Sequence, residues 1–129
     1  MNVLAFPYSQ VYIPAMPALE IVLGRAGRTQ GVMTISALID TGSDGTLMPI
    51  NALEEVGARY VSAARLRTIL GNSQPVDIYV VSLRIGPHTL PVVRVAAMAK
   101  DSEPILGRNV LNQLAVMLNG LAGVVELAI

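Results

Sequence analysis

Apolar and polar positions alternate with a period of two over most of the chain, the mark of half-buried strands. Leu19-Glu20-Ile21-Val22-Leu23 reads as one strand, and Gly24 to Gly31 as a polar loop bounded by glycines. From Val32 to Ile39 the alternation is regular. Met33, Ile35, Ala37 and Ile39 fall on one face, Val32, Thr34, Ser36 and Leu38 on the other, and Asp40 continues the second face. A short helix is expected after Pro49, with Asn51 as N-cap, Glu54 three residues on, Leu53 and Val56 facing inward and Gly57 ending it. Ala64 to Leu70 and Pro75 to Ile85 read as two strands around a Gly71-Asn72-Ser73-Gln74 turn, with a change of face near Val80-Val81. Gly86-Pro87-His88 turns the chain into a strand from Leu90 to Met98, and residues 99–103 form an exposed charged loop. Ile105-Leu106 is strand-like, Gly107 opens a helix from about Arg108 to Leu114, and Val116 to Leu118 and Val124 to Leu127 flank an Asn119-Gly120 turn. Residues 1–18 carry Pro7, Pro14 and Pro17 and read as an extended arm. Residues 19–129 then form one domain that is mainly β, a barrel-like sheet with one or two short helices.

Composition narrows the function classes. The 129 residues suffice for one domain with a core. The chain is 53% hydrophobic and 14% charged, which excludes a disordered polymer. Nine basic residues balance nine acidic ones, so nothing argues for nucleic acid or an anionic membrane as partner. Cysteine is absent and His88 is the one histidine, which removes disulfides and thiolate metal sites. It also argues against a histidine metal site or a Ser-His-Asp triad, so neither metal nor cofactor is expected. No apolar run reaches the roughly 18 residues of a membrane span. Val3-Leu4-Ala5-Phe6 lacks a preceding basic region and is cut short by Pro7, so it does not read as a signal peptide, and a cytoplasmic location is the expected default.

The chemistry gathers at Ala37-Leu38-Ile39-Asp40-Thr41-Gly42-Ser43-Asp44-Gly45-Thr46, an apolar strand that delivers one carboxylate into a turn rich in glycine and hydroxyls. Asp40-Thr41-Gly42-Ser43 resembles the catalytic loop of aspartic peptidases. Far downstream, Ile105-Leu106-Gly107-Arg108-Asn109-Val110-Leu111 is similar to the segment that precedes the C-terminal helix in retroviral proteases. The two marks, in this order and at this separation, identify a retropepsin-like resemblance that spans roughly residues 19–128 by element order.

What the resemblance implies is peptide hydrolysis by two carboxylates, one ionised to activate a water and one protonated to serve the carbonyl oxygen or the leaving nitrogen. The aspartates are Asp40, Asp44, Asp77 and Asp101, and only Asp40 stands in an Asp-Thr-Gly context. The dyad is therefore expected across a C2 homodimer that binds an extended peptide or protein. By the resemblance Asp40 is the catalytic group, the Thr41 hydroxyl bonds across the dimer, and the Gly42 amide holds the carboxylates. Asp44 and Arg108 pair between loop and helix. The Ser43 hydroxyl is expected on the outer oxygen of Asp40, where it would favour the ionised form and an acidic optimum. Residues 66–80 resemble the flap over the substrate, with Leu70, Gly71, Asn72 and Ser73 at its tip. This tip has one glycine where the retroviral pattern has several, and it lacks the tip-proximal tyrosine of pepsin-like enzymes unless Tyr79 fills that role. The C-terminal Gly123 to Ile129 is expected to be free to supply a strand to a dimer sheet. The competing readings are a catalytically silent dimer that binds peptides or partners through the same cleft, and a purely structural dimer module.

Overall fold

The computed structural model describes residues 2–28, 30–68 and 70–129. The expected strand from Ala64 to Leu70 includes Ile69, the loop from Gly24 to Gly31 includes Thr29, and the expected arm includes Met1; these three lie outside the described residues. Strands and short helices follow in the order β1 (Val3–Pro7), β2 (Ala18–Arg25), β3 (Met33–Ile39), β4 (Thr46–Pro49), α1 (Ile50–Val56), β5 (Arg59–Arg67), β6 (Ser73–Ile85), β7 (His88–Met98), β8 (Ile105–Leu106), α2 (Arg108–Leu111), β9 (Val116–Asn119) and β10 (Val124–Ala128). The main sheet runs β2-β3-β8-β4-β7-β6-β5, and an added β2–β6 pairing closes it into a barrel with β5 outside the ring. The barrel is filled by the inward sets of its strands, including Leu19, Ile21 and Leu23 of β2, Val81, Leu83 and Ile85 of β6, and Val93 and Val95 of β7.

β6 explains how one sheet can be both barrel wall and projection. Its far half pairs with β2 (Val22↔Arg84 to Arg25↔Val81) and with β7, whereas Ser73 to Asp77 pair with β5 alone. The face change expected near Val80-Val81 coincides with four consecutive buried residues, Val80 to Leu83. The register with β7 slips there, between Val81↔Val93 and Leu83↔Leu90. β7 carries one extra residue, Pro91 and Val92 standing opposite Ser82, and Pro91, which has no N–H to offer a ladder, is tolerated at such a bulge.

Several local expectations are corrected. Asn51 does not cap α1. Pro49 occupies the N-cap position without a side-chain bond, and the Asn51 amide exchanges two bonds with Asp101, each 3.0 Å. That exchange holds Asp101 at φ 62, a left-handed conformation rare outside glycine. Gly57 does end the helix with φ 69. The hairpin closes at Thr68 and Asn72 rather than around residues 71–74, because the Thr68 amide donates to the Asn72 carbonyl (2.8 Å) and Ser73 already pairs with Arg67. α2 ends at Leu111 and not near Leu114.

The termini form a separate sheet, β1-β10-β9. β10 is paired on both edges within its own chain, to β1 (Val3↔Ala128 to Pro7↔Val124) and to β9. It therefore has no free edge to lend to a partner, contrary to the expectation for residues 123–129. His88 ties this sheet to the barrel by donating from Nε2 to the Ala128 carbonyl, 2.7 Å. Gly86 is required at that junction twice over. Its φ is 56, and a Cβ would lie 2.7 Å from Leu4 Cδ1.

Leu83 is fully buried on the strand that bridges β2 and β7, whereas Leu121 is fully exposed. Leu83→Ala is expected to cost about 2–5 kcal/mol, and Leu121→Ala less than about 0.5 kcal/mol. Urea denaturation of the two variants checks this.

Candidate active site

The carboxylate of Asp40 is set by its own turn. Ala37, Leu38 and Ile39 are buried, and the chain emerges at Asp40, which is exposed. The Asp40 amide donates to the Leu106 carbonyl (3.1 Å), which fixes the end of β3 against β8. The turn then folds back. The Gly42 amide donates to Asp40 Oδ1 at 2.9 Å, and the Ser43 amide to the Asp40 carbonyl at 3.2 Å. Ser43 departs from expectation. Its hydroxyl donates to the Gly45 carbonyl at 2.6 Å, so it secures the turn and does not reach the carboxylate.

A second layer braces the loop from below. β3 and β8 are parallel neighbours (Leu38↔Ile105, Ile39↔Leu106), so Asp40 and Gly107 leave the barrel side by side. A Cβ on Gly107 would overlap the Gly45 carbonyl group, so only glycine lets these two backbones touch. Thr46 is completely buried beneath them. Its Oγ1 accepts from the Gly107 amide (3.1 Å) and donates to Asn109 Oδ1 (2.8 Å), and Asn109 Nδ2 donates to the Arg94 carbonyl (3.0 Å). The Arg108 and Asn109 amides donate to the carbonyls of Ser43 (2.8 Å) and Asp44 (3.3 Å). The expected Asp44–Arg108 pair is replaced. Arg108 Nη1 donates to the Thr41 carbonyl at 2.8 Å, so the guanidinium grips the loop backbone. The Asp44 and Thr41 side chains are left exposed.

The β5–β6 hairpin stands over a groove of ≈ 320 Å³ beside this loop. Its roof is Ala64, Leu66, Val76 and Ile78, and its floor includes Gly45, Leu47, Val95 and Ala96. Alternation in β5 and β6 places the four roof side chains on one face. Leu70, Gly71 and Asn72 lie in the exposed turn, with Gly71 at φ 88, while Ser73 begins β6 and accepts from Arg65 Nε (3.1 Å). Tyr79 is not near the tip. It meets Tyr60 edge to face at 5.8 Å, at the base of the hairpin.

Thr46 and the side chain of Asn109 were not singled out by their residue types. The signal was present in the adjacency of Thr46 to a glycine turn and of Asn109 to Gly107-Arg108, but nothing in one sequence says that the two side chains meet.

A family model described as "gag-polyprotein putative aspartyl protease" matches residues 26–113. No match is found among curated protein sequences. Among solved structures, a retropepsin-like aspartic protease from Rickettsia conorii is similar with a TM-score of 0.64 at 12% identity, covering 98% of this chain and 91% of that one. The EIAV protease complexed with the inhibitor HBY-793 is similar with a TM-score of 0.59 at 17% identity, covering 76% of this chain and 86% of that one.

Thr46→Val keeps the volume but leaves the buried Gly107 amide and Asn109 Oδ1 without their shared partner. The expected loss is about 1–3 kcal/mol, with Thr46→Ser recovering the hydrogen-bond part. Denaturant midpoints of the two variants test this.

Proposed function

Since this chain belongs to the gag-polyprotein putative aspartyl protease family, we propose that it is an aspartic endopeptidase whose catalytic pair is Asp40 from each of two identical chains. The observation that carries the reading is the 2.9 Å bond from the Gly42 amide to Asp40 Oδ1. It holds a single exposed carboxylate in a turn braced from two sides, next to an apolar groove.

One Asp-Thr-Gly per chain makes half a site, and a two-fold axis beside Asp40 completes it. In the assembled site one carboxylate takes a proton from water as the water oxygen attacks the scissile carbonyl carbon. The other carboxylic acid gives its proton to the carbonyl oxygen. The tetrahedral intermediate then collapses with cleavage of C–N: the nitrogen leaves with the proton held by the first carboxyl, and a hydroxyl of the intermediate returns its proton to the second carboxylate, which restores the singly protonated pair. The Gly42 amides orient the carboxylates, and the exposed Thr41 hydroxyl is free for a bond to the facing loop. Arg108 acts on the reaction at one remove, as a positioning residue through the Thr41 carbonyl. The groove accepts an extended peptide between its apolar roof and floor, and the hairpin with Leu70, Gly71, Asn72 and Ser73 at its end serves as the lid that excludes water. Because β10 is sealed within its own chain, the chains associate without interleaving that strand.

The test is digestion of a proteome-derived peptide library. Wild type is expected to cleave it with a specific activity that falls on dilution. Asp40→Asn is expected to abolish cleavage with the denaturant midpoint preserved. Cleavage by purified Asp40→Asn sinks the reading.

Ser43 donates to Gly45 and not to Asp40, so it is not expected to tune the dyad. Ser43→Ala should lower stability by about 1 kcal/mol while the acid limb of kcat/KM superimposes on that of wild type. An acid limb displaced to higher pH would show that the hydroxyl reaches the carboxylate in the working enzyme.

A further inference from the structure

The segment between β1 and β2 is a small hairpin in its own right. Ser9 and Met16 exchange backbone bonds of 2.7 and 3.1 Å. Its outgoing end is fixed next to the catalytic strand, since the Pro17 carbonyl accepts from the Ile39 amide at 3.0 Å, one residue before Asp40. Its tip lies beside Glu103, on the other side of that strand, where hydrogen bonding to Glu103, then desolvation and the Glu103 charge, raise the Tyr12 phenol above its ordinary value. Glu103 leads directly into Pro104, whose carbonyl accepts from the Leu38 amide at 2.9 Å. β2 and β8 flank β3, so the hairpin spans from one neighbour of β3 to the other near the end that bears Asp40.

Two apolar side chains flank Tyr12 on this tip and touch almost nothing. Val11 is 86% exposed and Ile13 is 98% exposed. They stand on a segment tied at both ends, next to a site that one chain cannot complete. We propose that Val11 and Ile13 dock on a second copy of this chain, beside the two-fold axis on which the Asp40 carboxylates meet. The inference rests on the homodimeric reading above and adds the surface that holds the dimer. The occupant is a second copy because its Asp40 loop must approach within contact of this one, and the hairpin base is one residue away. Symmetry delivers the contact twice, each hairpin reaching the opposite protomer.

Sedimentation velocity across a range of protein concentrations tests this with wild type, Val11→Ser, Ile13→Ser and the double variant. Val92→Ser, an exposed apolar position on β7, is the control. The double variant is expected to raise the dimer Kd at least tenfold and each single variant to raise it less, with Val92→Ser unchanged. Circular dichroism melts of dilute protomer should superimpose, because neither side chain is buried in it. Cleavage of the peptide library should return to the wild-type rate once protein exceeds the new Kd. A wild-type dimer whose Kd ignores the double variant overturns the inference alone. An unchanged Kd with a raised KM overturns it in favour of contact with the peptide. A wild type that never associates overturns both the inference and the homodimeric reading.

Discussion

Two glycine backbones in contact organise this molecule. Gly45 closes the turn that follows Asp40, Gly107 follows the short strand β8, and a Cβ on Gly107 would overlap the Gly45 carbonyl group, whereas one on Gly45 would meet nothing. Their contact brings a loop near residue 40 against a segment some sixty positions later, and both must then share the polar groups that such proximity buries. Thr46 answers that demand with one hydroxyl that accepts from one side and donates to the other. A buried amide without a partner is costly, so the approach and the hydroxyl are interdependent. Arg108 and Asn109 follow at once and bind the loop through its carbonyls. The site is thus held mainly by backbone groups, and the side chains supply the ends of the links.

The parts of the fold that alternate were legible in the sequence, because a half-buried strand writes its two faces in order. β3, with Met33, Ile35, Ala37 and Ile39 on the inner face, is the clearest case, and it carries Asp40 to the surface as its spacing requires. Hairpin positions were less legible. Glycine and asparagine point to a turn at 71–74, whereas the strand pairing runs on to Arg67↔Ser73. Asn51 has the right chemistry for an N-cap and was drawn instead to Asp101, a residue fifty positions away. Ser43 and Arg108 failed as partners of Asp40 and Asp44 for a shared reason. Each found a nearer carbonyl, on Gly45 and on Thr41, and main-chain acceptors in a tight turn are invisible in residue identities.

β6 resolves a conflict between rigidity and reach. Where it lies between β2 and β7 its backbone is bonded on both sides and its side chains form the core. Where it pairs with β5 alone, the ribbon has one neighbour and exposes more of its backbone to water. Regions with few buried contacts open at lower free energy than the core. The bulge at Pro91 marks the slip in register within the barrel wall. One strand thereby anchors the wall of the barrel at one end and carries the roof of the groove at the other.

The terminal sheet has a consequence for how such an enzyme would respond to its own abundance. β1, β9 and β10 satisfy one another within a single chain. In the homodimer proposed above, association would join two such bodies without strand exchange. For sites assembled in this way, the number of complete sites in dilute solution grows as the square of the protomer concentration, so halving the supply removes about three quarters of the sites. The closed terminal sheet would therefore let expression level act as a steep dial on activity.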